Sequence, residues 1–255
     1  MIEQPSHERF VRIISLVGQE NFERLQRASI LVVGLGAVGS YATEALARAG
    51  IGRLRLVDFD TIQLSNFNRQ LYGLQDNLGR SKVVVASERI QQINPDCQVE
   101  PLETFVHHDT LDTILAPSID LVVDAIDSLN PKVELLAAVQ QRSIPVVSSM
   151  GAALRRDPTQ IRIGRLSQTQ NCPLARILRK RLRRRQIPLD FTCIYSTEPV
   201  QQLPPTAICD GDPTDHLTSR GRIRQSLGSL PTITGLFGLT LAHTALDQLL
   251  QIPRN

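Results

Sequence analysis

The chain has 255 residues, of which 42% are hydrophobic, 21% are charged and only 4% are aromatic, with no tryptophan. This balance is typical of a globular protein with an aliphatic core, so it excludes a disordered chain and a collagen-like fold. The scarcity of aromatic rings also argues against a protein that binds single-stranded nucleic acid by stacking bases. The formal net charge is +3, and the positive excess lies in one short run.

The amino terminus and the cysteines favour a cytoplasmic enzyme. The first ten residues are polar and include two glutamates, which is typical of neither a signal peptide nor a transit peptide. The chain has no Cys-x-x-Cys pair, so neither a zinc ribbon nor a disulfide framework is indicated; its cysteines are Cys97, Cys172, Cys193 and Cys209. Residues 227–250 are apolar, but Pro231 and several glycines interrupt them, so we expect a buried helix and no membrane span.

The first 150 residues alternate short β-branched runs with helical patterns. This alternation predicts βαβ units, and therefore an α/β fold with a Rossmann-like, mostly parallel sheet flanked by helices. We expect strands at residues 29–34, 53–58, 120–125 and 144–149, helices at 37–50 and 81–93, and a further helix from Pro131. After Gly151 the alternation stops and a more irregular part follows, with a loop rich in proline, aspartate and glycine at 204–213. We interpret residues 1–255 as one domain with two halves, 1–150 and 151–255.

A glycine motif follows the first predicted strand and opens the first predicted helix; its members are Gly34, Gly36 and Gly39. Glycines allow a tight turn and a close approach of the backbone to a phosphate, which the free N–H groups of a helix start attract. Asp58 ends the second strand, where a carboxylate can accept both hydroxyls of an adenosine ribose. These features predict a nucleotide site in the first half, and they fit NAD as well as ATP.

The residues that follow favour a triphosphate over a dinucleotide. Arg69 and Lys82 lie on successive segments after Asp58, and together they could neutralise the charge that develops on a departing diphosphate. Asp127 follows the fourth strand at the edge where open α/β sheets bind ligands, and it could hold Mg²⁺ against the phosphates. Asp124 lies inside that strand, so we expect it to be structural.

Taken in order, the patterns GxGxxG, DxD, SNxxRQ, GxxK and DxxD resemble the superfamily of ubiquitin-activating-like adenylating enzymes, the ThiF/MoeB group. The match runs from about residue 9 to residue 150. The resemblance implies that Asp58 holds the ribose and that Asp127 is the acid on the metal side. It further implies a set of nucleotide contacts that comprises Asp60, Asn66, Arg69, Gln70 and Lys82.

The segment Arg9-Phe-Val-Arg12 looks like the amino-terminal arm of this superfamily. In that arm the second arginine reaches the nucleotide site of the partner subunit, so the resemblance implies a homodimer in which Arg12 acts in trans. A solvated charge on a helix is the alternative interpretation of Arg12.

Two branches of the superfamily are relevant. Adenylating enzymes for ubiquitin-like sulfur carriers typically hold zinc on two Cys-x-x-Cys pairs, which this chain lacks. The tRNA threonylcarbamoyladenosine dehydratases resemble it beyond the shared core, in the segments EALARAGIG from residue 44, RIQQINP from 89, VDAIDS from 123, DPTQ from 157, YSTE from 195 and GSLP from 228. With these segments the resemblance covers nearly the whole chain.

A basic run over residues 174–185 supports the dehydratase branch independently. Leu174, Leu178 and Leu182 share one helical face, so the charges would cover the opposite face and could neutralise phosphates of a structured RNA. The seven candidates are Arg176, Arg179, Lys180, Arg181, Arg183, Arg184 and Arg185. An acidic partner protein and a merely solvated face are the alternatives. The expected nucleic acid is tRNA and not DNA.

The resemblance implies an ATP-dependent dehydration of tRNA through an acyl-adenylate, with ATP and Mg²⁺ required. Adenylation of a ubiquitin-like carrier is the second hypothesis, a nucleotide-binding module without catalysis the third, and an NAD-dependent dehydrogenase a distant fourth.

Three further features carry weaker expectations. Cys193 could accept a persulfide from a sulfur-transfer partner, but a buried, inert thiol is the better interpretation. The His107-His108 pair is expected to cap a helix or to lie on the surface, and Asp210-Gly-Asp212 is interpreted as a turn.

Overall fold

The computed structural model describes residues 8–116, 118–200 and 227–250. Its strands are β1 (Ser29–Val33), β2 (Arg53–Asp58), β3 (Gln98–Glu103), β4 (Leu121–Asp124), β5 (Val146–Ser149), β6 (Ile161–Arg165) and β7 (Thr192–Ser196). They form one sheet in the order β3-β2-β1-β4-β5-β7-β6, in which neighbours run parallel except for β7 and β6. The α/β fold class predicted from the sequence is confirmed.

The helices cover both faces of this sheet. They are α1 (Val11–Val17), α2 (Gln19–Arg27), α3 (Gly39–Arg48), α4 (Lys82–Ile93), α5 (Leu111–Ile114), α6 (Leu129–Gln141), α7 (Pro173–Arg184) and α8 (Pro231–Leu250). The central strand β1 is buried on both sides: Ile30 and Val32 pack in the core formed with α3, α4 and α8, and Leu31 and Val33 in the core formed with α5, α6 and α7. Burial on both faces explains why β1 reads as a continuous β-branched and aliphatic run.

Most predicted elements of the first half are present with small shifts at their ends. β2 has the predicted bounds, and α4 ends at Ile93, before the Asn94-Pro95 pair. The helix expected from Pro131 begins earlier, at Leu129. The correction has a simple cause, because the first turn of a helix leaves its N–H groups unbonded and tolerates a proline there.

Three strands are absent from the sequence-based prediction. β3 contains Pro101, yet it lies at the edge of the sheet, where a missing N–H costs no ladder bond. β6 and β7 extend the sheet beyond β5, so the part after Gly151 is more regular than expected. The predicted loop at 204–213, with Cys209 and the Asp210-Gly-Asp212 turn, lies outside the described residues.

The apolar segment near the carboxyl end forms α8, which begins at Pro231 and not at residue 227. Gly238 lets α8 approach α3 closely, since a Cβ there would overlap the carbonyl oxygen of Val38. Phe237, Leu241 and Ala245 are buried in the core. Among the described residues, no helix has the length and apolar character needed to cross a membrane.

Candidate functional site

The carboxyl ends of β1, β2 and β4 meet at one edge of the sheet. The connection after β1 passes over one face and the connection after β4 over the other, so a crevice opens between these two strands, as at the ligand sites of open α/β sheets. Gly34 directly follows β1 and has a φ of 90°. A Cβ at Gly34 would lie 2.9 Å from the carbonyl oxygen of Ala125, so the turn after β4 leaves room only for glycine.

The other two glycines of the motif differ in what surrounds them. A Cβ at Gly39 would overlap the carbonyl oxygen of Gly34, so Gly39 is required for the turn itself. A Cβ at Gly36 would meet no protein atom nearer than Nε2 of Gln70, at 3.9 Å. Gly36 therefore borders a space that the protein leaves open beside the start of α3, where backbone N–H groups can receive a phosphate.

Asp58 is buried at the end of β2, and its carboxylate is oriented by two backbone amides. Leu35 N–H donates to Oδ2 over 2.6 Å, and Asp60 N–H donates to Oδ1 over 2.9 Å. Burial raises the pKa of Asp58, and the nearby Lys82 ammonium partly opposes that rise. Each oxygen keeps a second lone pair, so the carboxylate can still accept hydrogen bonds from ribose hydroxyls.

Lys82 and Asp60 form an ion pair next to Asp58. The Lys82 Nζ lies 2.8 Å from Asp60 Oδ2, with the lysine 5% exposed and the aspartate 47% exposed. Lys82 is the first residue of α4, and its N–H donates to the carbonyl of Asp60 over 3.1 Å. Lys82, which is predicted to contact the phosphates, is therefore held beside Asp58 by the partly exposed carboxylate of Asp60.

The remaining predicted nucleotide contacts lie on a 3₁₀ turn and the residues after it. Asn66 and Gln70 are buried, and Gln70 is the residue whose side chain comes nearest to the open space at Gly36. Arg69 is partly exposed, and its Nη1 donates to the carbonyl of Ser65 over 2.9 Å. The fold thus brings Gln70 to the glycine loop and places Arg69 on the same short segment.

Asp124 anchors a buried polar cluster below the turn after β4. Its Oδ2 lies 2.7 Å from Nζ of Lys132, and both side chains have no exposed surface. Ser148 on β5 donates its Oγ hydrogen to the same Oδ2 over 2.6 Å. The structural role expected for Asp124 agrees with this burial. Lys132 and Ser148 were not predicted from the sequence, although a lysine among the apolar residues of α6 was a signal that could have revealed the pair.

Asp127 is exposed at the carboxyl end of β4, three residues beyond Asp124 and on the edge that carries the glycine loop. Mg²⁺ is commonly held by one or two carboxylates together with phosphate oxygens of the nucleotide. The carboxylate oxygens of Asp127 are suitable ligands for Mg²⁺, and the open space at Gly36 could receive the phosphates of a nucleotide that binds the same ion.

Arg12 lies in the first turn of α1 with an exposed side chain. The nearby Phe10 is buried and packs on Phe22 of α2, with ring centroids 5.2 Å apart, which fixes the start of this helix. A role of Arg12 in a neighbouring subunit concerns a second chain, so it stays a prediction.

The basic run forms α7 as expected, with Ala175, Leu178 and Leu182 buried and the cations on the other side. Three cations are engaged by the protein itself: Arg179 donates to the carbonyl of Thr169 over 2.9 Å, and Arg185 pairs with Glu134 of α6 at 2.5 Å. Arg181 also donates to the side chain of Asn130. The exposed cations without a side-chain ion pair or hydrogen bond in the described chain are Arg176, Lys180, Arg183 and Arg184.

Cys193 is fully buried on β7, and burial raises the pKa of its thiol to about 12. This agrees with the interpretation of an inert thiol, because the thiolate is the reactive form. His107 and His108 lie on the surface, where Nδ1 of His107 contacts Asp109 at 2.6 Å and Nδ1 of His108 lies 3.2 Å from Nε2 of His107. These two hydrogen bonds are sufficient to explain why the side chains of His107, His108 and Asp109 lie close together.

Comparison with known proteins shows which family has this sequence and fold. The model of the ThiF family matches residues 7–255. The chain belongs to the ThiF family. The tRNA threonylcarbamoyladenosine dehydratase of Escherichia coli strain K12 is 36% identical over 258 residues, which cover 98% of this chain and 96% of that protein. The dehydratase of Bacillus subtilis strain 168 is 40% identical over 182 residues, 71% of this chain and 72% of that protein.

A solved structure resembles this ThiF-family chain over nearly its whole length. The crystal structure of the E. coli dehydratase in complex with ATP superposes with a TM-score of 0.85 at 34% sequence identity, covering 98% of this chain and 97% of that one. The similarity therefore includes β6, α7, β7 and α8, which follow Gly151 in the chain.

Proposed function

We infer that this chain is an ATP-dependent tRNA threonylcarbamoyladenosine dehydratase. The observation that carries this conclusion is its end-to-end similarity to dehydratases, including one whose structure holds ATP. The alternative, adenylation of a ubiquitin-like sulfur carrier, is less well supported, because the chain lacks the Cys-x-x-Cys pairs typical of that branch.

The reaction begins at a carboxylate, which is a poor electrophile until its oxygen becomes a good leaving group. A carboxylate oxygen of the threonylcarbamoyl group attacks the α-phosphorus of ATP, and the bond to the bridging oxygen of the diphosphate breaks. The acyl-adenylate then loses AMP when the neighbouring carbamoyl group attacks the activated carbonyl and closes a five-membered ring. Because nucleophile and electrophile belong to one side group, proximity favours this second step.

In this proposal the nucleotide lies over the glycine loop, with its phosphates in the open space at Gly36 and its ribose on Asp58. Lys82 and Arg69 neutralise negative charge as the diphosphate leaves, and Gln70 contacts the phosphates from the side. The Lys82–Asp60 ion pair supports this role, because it holds the ammonium at the site edge before ATP arrives. Asp127 would hold Mg²⁺, which when bound neutralises phosphate charge.

The exposed face of α7 is proposed to bind tRNA phosphates through the cations that the protein does not itself engage. Arg12 is proposed to complete the nucleotide site of a second subunit in a homodimer, and the enzyme to act in the cytoplasm. The dehydration transfers no sulfur, so it requires no reactive thiol, in keeping with the burial of Cys193.

The experiment that tests this function measures AMP release from ATP with tRNA that carries threonylcarbamoyladenosine, followed by mass analysis of the nucleosides. The expected result is AMP formed only with this tRNA, and a modified nucleoside lighter by one water. Unmodified tRNA is the control. AMP release that instead depends on a protein with a carboxyl-terminal Gly-Gly would transfer the assignment to a carrier-adenylating enzyme.

A further inference from the structure

The buried ion pair between Lys132 and Asp124 controls the turn that joins β4 to α6. Lys132 Nζ donates to the carbonyl oxygen of Ile126 over 3.0 Å, and Ile126 N–H donates to Asp124 Oδ1 over 3.1 Å. Both polar backbone atoms of Ile126 are therefore bound by the pair. The carbonyl that Lys132 holds belongs to the peptide bond between Ile126 and Asp127, so the ammonium sets the orientation of that peptide plane.

The same turn also forms one wall of the glycine loop. Ala125 N–H donates to the carbonyl of Val33 over 2.9 Å, and a Cβ at Gly34 would lie 2.9 Å from the carbonyl oxygen of Ala125. A small rotation of this turn would thus move Asp127 and the wall of the phosphate space together. Below the turn, the hydroxyl of Ser148 on the neighbouring strand β5 donates to Oδ2 of Asp124 over 2.6 Å and fixes the position of this carboxylate.

We propose that Lys132 is a positioning residue for nucleotide-bound Mg²⁺: it fixes the peptide plane of Asp127 and so holds that carboxylate at the phosphate space. It acts through the turn and has no exposed surface with which to touch a ligand. The inference rests on the proposed role of Asp127, but it concerns metal-nucleotide binding and does not depend on which carboxylate the enzyme activates. Partners of metal-binding side chains commonly contribute about 10–100-fold to metal affinity or activity.

The test compares ATP binding with and without Mg²⁺ by calorimetry in the wild type, Lys132→Met and Asp127→Asn. Met keeps the length and apolar stem of the lysine but cannot bind the carbonyl of Ile126. We expect Mg²⁺ to strengthen ATP binding by the wild type, and both substitutions to reduce that gain by about tenfold or more. Without Mg²⁺, the ATP affinity of Lys132→Met should fall much less, because the bond from Ala125 N–H to the carbonyl of Val33 still holds the wall of the phosphate space.

A matched control separates this effect from a general loss of stability. Arg89 of α4 pairs with Glu44 of α3 at 2.6 Å, and neither belongs to the proposed site. Arg89→Met should lower the melting temperature yet keep the full Mg²⁺ gain. The double variant Asp124→Asn with Lys132→Met removes both buried charges, so it should fold if the single variant does not, and it should still lose the gain.

Three outcomes would overturn the inference. They are a full Mg²⁺ gain in a folded Lys132 variant, an equal loss of ATP affinity with and without the metal, and a wild type whose ATP affinity Mg²⁺ does not change. A chain that binds Mg²⁺-ATP as expected but releases no AMP with the modified tRNA would contradict the proposed function and leave the role of Lys132 intact.

Discussion

Replacing Lys82 with methionine should nearly abolish adenylation while leaving the fold intact. The proposed role of Lys82 is to neutralise charge on the departing diphosphate, a charge that develops only as the bond breaks. Loss of one such preorganised donor typically costs about 10²–10³-fold in turnover, or about 2.7–4 kcal/mol of barrier height. We expect a decrease of this size in the single-turnover rate of AMP release at saturating ATP and modified tRNA.

The stability cost should be much smaller, and the structure gives the reason. The partner of Lys82 is Asp60, whose side chain is 47% exposed, so solvent screens the pair and can hydrate the carboxylate after the lysine is lost. The lost pair therefore leaves no buried carboxylate without hydration at Asp60, and methionine keeps the apolar stem of the buried lysine in place. The urea midpoint should therefore move little, while the rate changes by orders of magnitude.

Arg80→Met is the matched control. Arg80 lies two positions before Lys82 and pairs with Glu88 at 2.5 Å on the surface, so its loss removes one positive charge near the same helix start. It should leave the rate within a few-fold of the wild type. A Lys82→Met enzyme that folds normally and retains a rate within about fivefold would refute the charge-neutralising role, because a transition-state interaction cannot be lost without a rate change.

Three further predictions concern other parts of the site. Gly36→Ala should fold but bind ATP weakly, because its methyl group enters the open space, whereas Gly39→Ala should unfold at lower temperature, because its methyl overlaps the backbone; equal melting temperatures would contradict this contrast. Burial raises the pKa of Asp58, so the folded state binds that proton more tightly and the free energy of unfolding falls as pH rises above about 4. Asp58→Asn should lack this slope in urea titrations at a series of pH values above about 4, and parallel pH profiles would argue against it. Replacing Arg183 and Arg184 with glutamine should weaken tRNA binding and reduce the slope of log affinity against log salt by about 0.7–0.9 for each phosphate that the protein no longer neutralises; an unchanged slope in filter binding would place the RNA elsewhere.

Local patterns in the sequence were sufficient to predict the strands that lie in the middle of the sheet. β1, β2, β4 and β5 are short runs of β-branched and aliphatic residues, and helical patterns separate them along the chain. β3 and β6 were missed because they lie at the two edges of the sheet, where exposed residues interrupt the apolar pattern. β7 is buried, but its pairing with β5 joins segments far apart in the chain, which no local pattern reveals.

Much of the candidate site was predictable because its residues occur in a recognisable order at the carboxyl ends of strands. The contacts between those residues were not predictable. The apolar residues around Lys132 signal that this lysine is buried, but they do not identify Asp124 as its partner. Nothing in the basic run distinguishes Arg185, which pairs with Glu134, from Arg184, which does not. A helical pattern assigns a residue to a face, but the partner on that face depends on how α6 and α7 pack together.

The two acidic motifs, residues 58–60 and 124–127, each contain two aspartates and share one arrangement. In each motif one aspartate is bound to a lysine: Asp60 to Lys82 at the site edge, and Asp124 to Lys132 beneath it. A site for a triphosphate needs cations at the phosphates, yet unpaired lysines at such positions would be costly to desolvate and free to move. Pairing each lysine with one of these aspartates holds the ammonium in place, while Asp58 and Asp127 lie at the carboxyl ends of β2 and β4, where the nucleotide is proposed to bind. The exposure of the two pairs then separates their roles. In the proposed mechanism the half-exposed Asp60 releases Lys82 to a phosphate when ATP arrives, whereas the fully buried Asp124 keeps Lys132, whose proposed role is therefore to shape the turn.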